Sequence, residues 1–323
     1  MRQVFINGKF VPENEAKISI YDSSLMFGDM VFDMTRSFNK KQFKLREHIE
    51  RLYASMKSTE IHLDMSMDEM EKACYDTLEK NEPFFSETDE HRLFLNVSRG
   101  PLSIYSEIFD GKLEPTVVIA DFPVKWTVQG MGKLFDSGIN AVIPSQRAIP
   151  ANLMDPKVKN RSRLFYMMAN IEVSKYSGDN NWALLLDPDG FITEATGANF
   201  FLVKDDVLYT PEPRNILRGI SRQYIFELAK ELNLKYVEKN LELYDVVVSD
   251  EAFMTATPFS ILPVTQVNGI SIGNGKRGKI TNKLLSQWSE NVGVDIESQI
   301  KEFNKETESM KLDGATPYQF KQK

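Results

Sequence analysis

Three short segments of the sequence bring together residue types that could do chemistry. The run MDPKVKNRSR at residues 154–163 supplies primary amines ahead of an apolar stretch, although a charged run of this kind is usually a solvated turn. Glu194 lies in a strand-like segment and is followed by the small residues ATGA, over which a flat ligand could approach the backbone. Gly219, Ile220 and Ser221 mark the predicted start of a helix, where free N–H groups favour an anion, although most helix starts bind only water.

The hydrophobic pattern of the first third predicts an α+β unit. Ser66 and Glu69 form a capping box that should open one of its helices. Apolar residues at helical spacing predict another helix before it, and β-branched and aromatic runs predict strands. The predicted strands are 2–6, 28–38, 42–45, RLFLNVSRG and PTVVIADF, and the predicted helices are 47–59 and 66–80.

The order of predicted helices and strands changes in the remainder of the chain and predicts a second unit. Three glycines within 128–138 mark a domain junction near residue 126. We therefore expect a small α/β domain at 1–125, a larger one at 130–295, and a polar C-terminal surface helix and tail at 296–323. The predicted helices are 161–176 and ISRQYIFELAKEL, and the predicted strands lie in WALLLD, FITEATGANFFLV, VLYTP, EAFMTATP and ILPVTQV.

Composition excludes several classes of protein. The 323 residues are 42% hydrophobic and 26% charged, and no stretch supplies the run of about 20 apolar residues that a membrane span needs. A net charge of −7 with dispersed basic residues does not favour a nucleic-acid binder. A single cysteine, Cys74, and three scattered histidines indicate neither disulfides nor a metal site, and the amino terminus is not a secretory signal. We expect a cytoplasmic protein without metal, membrane or nucleic-acid partners.

The segments occur in the order and at the separations of a known family. The run IYDSSLMFGDMVFDMTRSFNKKQFKLREHIERLYAS resembles the opening signature of the class IV, or fold-type IV, pyridoxal-phosphate aminotransferases, with its D-x-x-x-x-x-G-D-x-V-F and H-x-x-R-L patterns. The resemblance covers roughly residues 1–295. It implies an α+β, two-domain architecture with pyridoxal 5′-phosphate in the interdomain cleft. It also implies a homodimer in which loops of one subunit close the site of the other.

The resemblance assigns roles that the chemistry also explains. Lys159 would form the Schiff base with the cofactor aldehyde, and the family's spacing favours it over Lys157. Glu194 would face the pyridine nitrogen, where a carboxylate keeps the ring protonated and able to accept electrons. An arginine and a helix N-terminus suit a phosphate. The phosphate would be held by Arg51, the N–H groups of Ile220 and Ser221, and Thr257.

One position departs from the branched-chain branch of the family. That branch carries a tyrosine five positions past the lysine, which contacts the cofactor's phenolic oxygen, whereas this chain has Leu164. The D-amino-acid aminotransferase and aminodeoxychorismate lyase branches also lack that tyrosine. Arg147 could reach the same oxygen, although an arginine in a polar loop is more often solvated.

Substrate recognition is predicted less specifically. Arg99 resembles the arginine with which D-amino-acid aminotransferases bind a substrate carboxylate, and a structural ion pair is an equal alternative. Arg36 is a second candidate partner for that carboxylate. Phe27 and Phe32, with Met26, would form an apolar wall for hydrophobic substrates, unless they only pack in the core.

The sequence thus predicts a ping-pong transaminase that acts through a Lys159 Schiff base. It would move the amino group of a hydrophobic, branched-chain or D-amino acid to a 2-oxo acid such as 2-oxoglutarate. An aminodeoxychorismate-lyase-type enzyme would use the same lysine and cofactor. A non-catalytic pyridoxal-phosphate-binding homologue is the other alternative, against which the intact Lys159, Glu194 and Arg51 argue. The identity and handedness of the substrate stay open.

Overall fold

The chain forms two compact units. The computed structural model describes residues 1–178 and 180–307. The first unit is Met1–Val124 together with Val158–Arg163, and the second is Lys125–Lys157 with the residues from Leu164 onward. The predicted division at 1–125 and 130–295 gives each unit one continuous stretch of chain, so it does not assign Val158–Arg163 to the first unit. The segment that carries Lys159 therefore belongs to the first unit.

An antiparallel sheet and two long helices build the first unit. Its five-stranded sheet has the order β2-β1-β7-β6-β3. One face of this sheet packs against α2 and α3 through a core that includes Ile49, Leu52, Leu93 and Leu95. The elements are β1 Gln3–Ile6, β2 Lys9–Pro12, α1 Ser23–Phe27, β3 Met30–Met34, β4 Ser37–Phe38, β5 Lys41–Gln42, α2 Leu45–Ser58, α3 Met67–Asn81, β6 His91–Ser98 and β7 Thr116–Pro123.

The predicted capping box of the first unit is confirmed, and two predicted strands are shorter than expected. Ser66 caps α3 and exchanges hydrogen bonds with Glu69 as predicted. The predicted strand 28–38 divides into β3 and β4. The chain then reverses through Asn39 and Lys40, which both have positive φ (50° and 63°), to pair β4 with β5. The strand predicted at 42–45 ends early because α2 begins at Leu45.

A short segment extends the edge of this sheet beside β3. The Phe32 N–H donates to the Lys159 carbonyl at 2.9 Å, and the Arg161 N–H donates to the Met30 carbonyl at 2.9 Å. Val31 and Asn160 form the bridge between these two bonds. Because the Lys159 carbonyl and the backbone that follows it are held in this way, the Lys159 side chain leaves the sheet edge from a fixed position.

A histidine held between two carboxylates lies away from that edge in the first unit. His91 Nδ1 is 2.8 Å from Asp121 Oδ2, and Nε2 is 2.5 Å from Glu82 Oε2. Burial by itself opposes a charge on the ring, but the hydrogen bonds and charges of Asp121 and Glu82 raise the pKa of His91 above its ordinary value. The ring also stacks on Phe85, with centroids 4.1 Å apart.

The second unit is a largely closed sheet flanked by helices. Its strands have the order β10-β9-β8-β15-β14-β11-β12-β13, and β10 also pairs with β11. That extra pairing, Glu194 opposite Asn199, joins the strands from β10 to β11 into a ring. The elements are α4 Leu134–Ser137, β8 Ile139–Val142, α5 Leu164–Val173, β9 Asn181–Leu186, β10 Ile192–Ala195, β11 Asn199–Lys204, β12 Val207–Thr210, α6 Ile220–Glu231, β13 Lys235–Glu238, α7 Leu243–Val247, β14 Glu251–Ala256, β15 Ser260–Val267, β16 Ile270–Ser271, α8 Lys279–Val292 and α9 Ile296–Thr307.

The predicted C-terminal helix is α9, but it is not simply a polar surface helix. Ile296, Ile300 and Phe303 lie on one face of it and are buried. Asn304 fixes the helix within the second unit, because its amide donates to the Val128 carbonyl at 2.9 Å and its Oδ1 accepts from Gly132 N at 2.7 Å. The rest of the predicted tail, 308–323, lies outside the described residues.

The mixed α+β fold class is confirmed by this architecture. None of the helices in residues 1–178 and 180–307 has the length and apolar character required to cross a membrane. The same residues contain no group of three or more His, Cys, Asp or Glu side chains that could hold a metal ion.

Candidate active site

Lys159 lies at the edge of the first sheet, with its amine over an aromatic ring. Its backbone N–H donates to Ser55 Oγ of α2 at 3.2 Å, in addition to the strand-like bond from Phe32. Its Nζ lies 5.0 Å from the centroid of the Phe32 ring. A primary amine on a backbone held by both a helix and a strand is suited to covalent chemistry at a defined position.

Lys157, the alternative lysine, makes different contacts. Its Nζ is 2.8 Å from Asp155 Oδ1 and donates to the Arg214 carbonyl at 3.2 Å, and it belongs to the second unit. The Lys157 amine is thus held by an ion pair and a carbonyl of the second unit, and not at the sheet edge that carries Lys159. These contacts support Lys159 as the reactive lysine.

A buried carboxylate, which the sequence analysis missed, orients Arg51. Asp33 accepts from Arg51 Nε at 2.9 Å and from Nη2 at 2.8 Å, and its Oδ1 is 2.7 Å from His48 Nδ1. The side chains of Asp33 and His48 are almost fully inaccessible. The H-x-x-R spacing places His48 and Arg51 on one side of α2, so both side chains reach the same carboxylate of β3.

The charges in this cluster favour an ionised Asp33. Burial would raise the pKa of Asp33, but the positive charge of Arg51, the contact with His48 and the charge of Lys159 together hold it well below its usual range. Burial lowers the pKa of His48, against the opposing attraction of Asp33. The fork of two parallel bonds fixes the plane of the Arg51 guanidinium.

Glu194 occupies a buried and fully oriented position in the second unit. Its Oε1 accepts from the Tyr166 hydroxyl at 2.9 Å, and its Oε2 accepts from Asn199 Nδ2 at 2.9 Å and from the Leu217 N–H at 3.1 Å. The residue is 6% exposed. Its carboxylate therefore has one defined orientation, set by α5, by β11 and by the loop before α6.

The start of α6 lies next to this carboxylate in the same unit. Gly219 is the N-cap, and no side chain caps the helix. A Cβ at Gly219 would lie 2.1 Å from Asn199 Oδ1, so only glycine lets the helix start approach the amide that holds Glu194. The first-turn N–H groups of Ile220 and Ser221 are directed by the helix toward its N-terminal end, where the dipole favours an anion.

Thr257, Leu164 and Arg147 also lie in the second unit. Leu164 stands where the branched-chain branch carries its tyrosine, and Arg147 is the predicted alternative contact to the phenolic oxygen. Thr257 is half-buried in the turn between β14 and β15. Leu164 is 74% exposed at the first position of α5, and Arg147 is exposed in a loop. Nothing in these positions assigns the contact to the phenolic oxygen, so the role of Arg147 stays a prediction.

Arg99 is extensively hydrogen-bonded within the first unit. Its Nε donates to Asp29 at 2.7 Å, Nη2 donates to the Thr59 carbonyl at 2.8 Å, and Nη1 donates to the Glu60 carbonyl at 2.8 Å. These bonds tie the end of β6 to the C-terminal end of α2. Of the two alternatives left open by the sequence, they support the structural ion pair, and the substrate role stays a prediction.

The other predicted substrate residues differ widely in exposure. Arg36 is fully buried, with its Cζ 3.9 Å from the Phe38 ring centroid, and burial lowers its pKa to about 9 despite the opposing charge of Glu90. Phe32 is 5% exposed, whereas Phe27 is 68% exposed and Met26 42%. Phe32 lies beside Lys159, while Phe27 and Met26 lie on the short helix α1.

A buried arginine of β6, also missed from the sequence, lies on the same sheet face as the Lys159 amine. Leu93, Leu95 and Val97 of β6 lie in the core beneath α2 and α3, so the alternating Arg92 and Asn96 project from the opposite face. Asn96 pairs with Phe32, over whose ring the Lys159 amine lies.

Arg92 has polar atoms that no group of the described residues satisfies. It is 6% exposed, and neither its Nε nor its Nη1 has a hydrogen-bond partner there, while its Nη2 lies 3.6 Å from Met34 Sδ. Burial and the charge of Arg161 together lower the pKa of Arg92 to about 10, against the attraction of Asp33. An unsatisfied buried cation is costly, so this position favours an anion that residues 1–178 and 180–307 do not provide.

Comparisons with known proteins identify the family of this chain. The model of the amino-transferase class IV family matches residues 30–267. A putative branched-chain-amino-acid aminotransferase of Methanocaldococcus jannaschii is 36% identical over 290 residues, which cover 89% of this chain and 96% of the relative.

Solved structures agree with the sequence relatives. The branched-chain amino acid aminotransferase of Escherichia coli superposes with a TM-score of 0.80 at 27% identity, covering 90% of this chain and 94% of that one. The T.th. branched-chain amino acid aminotransferase, solved with pyridoxamine 5′-phosphate, gives the same TM-score, identity and coverage. The resemblance stated from sequence motifs, and with it the predicted transaminase class, is confirmed at the level of the family. The chain belongs to the amino-transferase class IV family.

Proposed function

We propose that this chain transfers the amino group of a hydrophobic amino acid, of the branched-chain type, to a 2-oxo acid such as 2-oxoglutarate. The names of the Methanocaldococcus jannaschii and Escherichia coli relatives support the branched-chain donor. The buried Phe32 beside Lys159 supports an apolar substrate side chain. A D-amino-acid donor is the second possibility that the sequence left open, and the assay below separates the two.

The residues present fit pyridoxal 5′-phosphate. The class IV family and the pyridoxamine 5′-phosphate in the T.th. relative support this cofactor. The chain offers a primary amine held on a fixed backbone at Lys159, an oriented buried carboxylate at Glu194, and a helix start without a side-chain cap at Gly219. These are the three kinds of group that an aldehyde, a pyridine nitrogen and a phosphate require.

Each residue has a defined task in the proposed reaction. When bound, pyridoxal 5′-phosphate supplies an aldehyde that condenses with primary amines and a ring that accepts the electron pair left at the substrate Cα. Lys159 would hold the cofactor covalently, and its Nζ would carry the proton to and from the substrate Cα. Glu194 would place a negative charge at the pyridine nitrogen. Arg51, the Ile220 and Ser221 N–H groups and Thr257 would hold the phosphate.

Arg92 would bind a carboxylate of the substrate. Its Nε and Nη1, which have no hydrogen-bond partner among the described residues, can each donate to an oxygen of that group, and Arg92 shares a sheet face with the reactive lysine. Arg99 is a weaker candidate because its three nitrogens already donate to Asp29 and to two carbonyls. Titration calorimetry with 4-methylpentanoate, glutarate and the neutral 4-methylpentanamide tests this role, and we expect Arg92→Met to weaken binding of an acid but not of the amide.

The orientation of Glu194 is the observation that carries the proposed reaction. The Glu194 carboxylate is 6% exposed and accepts from three separate donors, and because burying a charge is costly, this arrangement supports a positively charged partner for it. A protonated ring nitrogen is the partner that such a group would stabilise most strongly.

A turnover assay tests the proposed reaction. Purified protein supplied with pyridoxal 5′-phosphate is incubated with 2-oxoglutarate and either L-leucine, L-valine, L-isoleucine or their D-enantiomers, and glutamate is measured. We expect glutamate with the L-donors, in a one-to-one ratio with the matching 2-oxo acid. Glutamate only with D-donors would move the chain to the D-amino-acid type. Pyruvate released from aminodeoxychorismate, without glutamate, would indicate the lyase alternative, and no product in either assay would indicate the non-catalytic one.

Two further predictions belong to this proposal. A homodimer is expected from the family resemblance, and light scattering at micromolar concentration would give about twice the mass of the 37.0 kDa chain if it forms. A cytoplasmic location is the other expectation, which fractionation of the source cells would test.

A further inference from the structure

The carboxylate of Asp33 occupies one edge of the Arg51 guanidinium. The two bonds use Nε and Nη2, at 2.9 and 2.8 Å, so the opposite edge, which carries Nη1, is turned away from β3. The Asp33 side chain is completely inaccessible, whereas 12% of the Arg51 side chain is exposed. Asp33 therefore holds the Arg51 guanidinium along its Nε–Nη2 edge, while the Arg51 side chain as a whole stays partly exposed.

Asp33 is itself fixed by its position on β3 and by contacts with two side chains of α2. It lies on β3 opposite Leu95 of β6, on the sheet face that packs against α2. Its Oδ1 is 2.7 Å from His48 Nδ1, and its Oδ1 also meets Arg51 Nη2. A carboxylate held by a strand, an imidazole and an arginine cannot move without breaking several contacts, so it defines where the arginine points.

The backbone of Arg51 is connected to the backbone of Lys159 through one hydroxyl. The Ser55 hydroxyl donates to the Arg51 carbonyl at 2.9 Å, and the same oxygen accepts from the Lys159 N–H at 3.2 Å. On the other side, the residue next to Asp33, Phe32, donates its N–H to the Lys159 carbonyl. The arginine and the reactive lysine are thus tied to one another by way of α2 and by way of β3.

We propose that Asp33 is a positioning residue that aims the Arg51 guanidinium at the cofactor phosphate. The inference rests on the proposed function, which gives Arg51 its phosphate and Lys159 its aldehyde. Asp33 touches neither group. Its contribution is to hold the guanidinium in one plane and at one distance from Lys159, so that a ligand attached to the lysine meets the arginine at its other end.

Two ligands that differ only in the phosphate isolate this contribution. Pyridoxal 5′-phosphate and pyridoxal both carry the aldehyde and the ring, and their dissociation constants are measured by absorbance titration of the purified protein. The ratio of the two constants gives the preference for the phosphate. General damage to the fold or to the lysine weakens both ligands and leaves this ratio unchanged.

The variants are Asp33→Asn, Arg51→Met and the double variant. Asp68→Asn is the matched control, because Asp68 also pairs with an arginine of α2, Arg46, but is exposed. We expect the preference for pyridoxal 5′-phosphate to fall roughly 10-fold or more in Asp33→Asn and at least as far in Arg51→Met. A residue that acts only through Arg51 adds nothing once the arginine is gone, so the double variant should match Arg51→Met. Asp68→Asn should keep the preference of the wild type.

The pattern of losses decides the proposal. An unchanged preference in Asp33→Asn overturns it, and so do losses that add in the double variant, because Asp33 would then act independently of the arginine. If Asp33→Asn does not fold, Asp33→Glu, which keeps the charge but displaces the fork, is measured instead, and an unchanged preference there overturns the proposal equally. Failure of the proposed function is distinguishable, because it would abolish glutamate formation in the wild type or leave the phosphate preference of Arg51→Met unchanged.

Discussion

Replacing Glu194 by glutamine separates the charge of this carboxylate from its shape. Asn199 Nδ2 and the Leu217 N–H, which can donate a hydrogen bond but not accept one, approach Oε2. The Tyr166 hydroxyl, which can do either, approaches Oε1. A glutamine can therefore keep its oxygen toward the two fixed donors and turn its amide toward the hydroxyl, which can rotate to accept. We expect a loss of unfolding free energy of only about 1 kcal/mol.

Turnover should respond far more strongly than stability. If the charged contact supplies roughly 3 kcal/mol in the transition state, Glu194→Gln lowers kcat on the order of 10²-fold or more while the cofactor is retained. Tyr166→Phe is the matched control, because it removes one hydrogen bond and keeps the charge, and we expect its kcat to fall less than about tenfold. The assay is glutamate formation, with cofactor occupancy measured by release in alkali. Near-wild-type kcat in a folded, cofactor-loaded Glu194→Gln protein would refute the role of the charge.

Three other predictions follow from the first unit. Asp33→Asn leaves the largely buried Arg51 without its counter-charge and should lower the unfolding free energy in urea by roughly 3–5 kcal/mol. Asp68→Asn, at an exposed ion pair, should lower it by less than about 1 kcal/mol. Equally small losses in the two variants would contradict a buried ion pair between Asp33 and Arg51. Because the pKa of His91 is raised in the folded state, its contribution to stability is fully present below the unfolded pKa of about 6.5 and is lost as pH rises through the folded pKa. The stability advantage of the wild type over His91→Gln should therefore shrink as pH rises above about 6.5. An advantage that grows with pH would be the opposite result. Arg99→Ala should lower the unfolding free energy by about 1–3 kcal/mol and change the KM for amino acids by less than about threefold. A rise in that KM of roughly 30-fold or more, with the KM for amines that lack a carboxylate unchanged, would establish the substrate role instead.

The sequence predicted the elements with strong local signals. The start of α3 followed from Ser66 and Glu69, because a capping box satisfies helix donors within four residues and needs no distant partner. Lys159 and Glu194 could be proposed from motifs in the chain. The end of β3 could not be predicted, because the break before Ser37 is set by the hairpin that follows and by pairing with β6, which is distant in sequence.

Residues that act through a partner distant in sequence were missed. Asp33 and Tyr166 each lie in an apolar segment, and only the fold brings Asp33 to Arg51 and Tyr166 to Glu194. An acidic residue inside an otherwise apolar strand was a signal that a buried partner was needed.

The buried face of the C-terminal helix was missed for a different reason. The apolar spacing of Ile296, Ile300 and Phe303 was a sign of that face, and the many Lys and Glu residues around it outweighed this sign in the sequence. Composition describes the whole segment, whereas burial depends on one side of the helix.

The central claim is that Lys159 carries the cofactor, and reductive trapping tests it most directly. The protein is loaded with pyridoxal 5′-phosphate, reduced with sodium borohydride, digested and sequenced by tandem mass spectrometry, with Lys157→Arg and Lys159→Arg treated in parallel. The phosphopyridoxyl group is predicted on Lys159 in the wild type and in Lys157→Arg, and on no lysine in Lys159→Arg. Attachment at Lys157, or none in the wild type, would contradict the account.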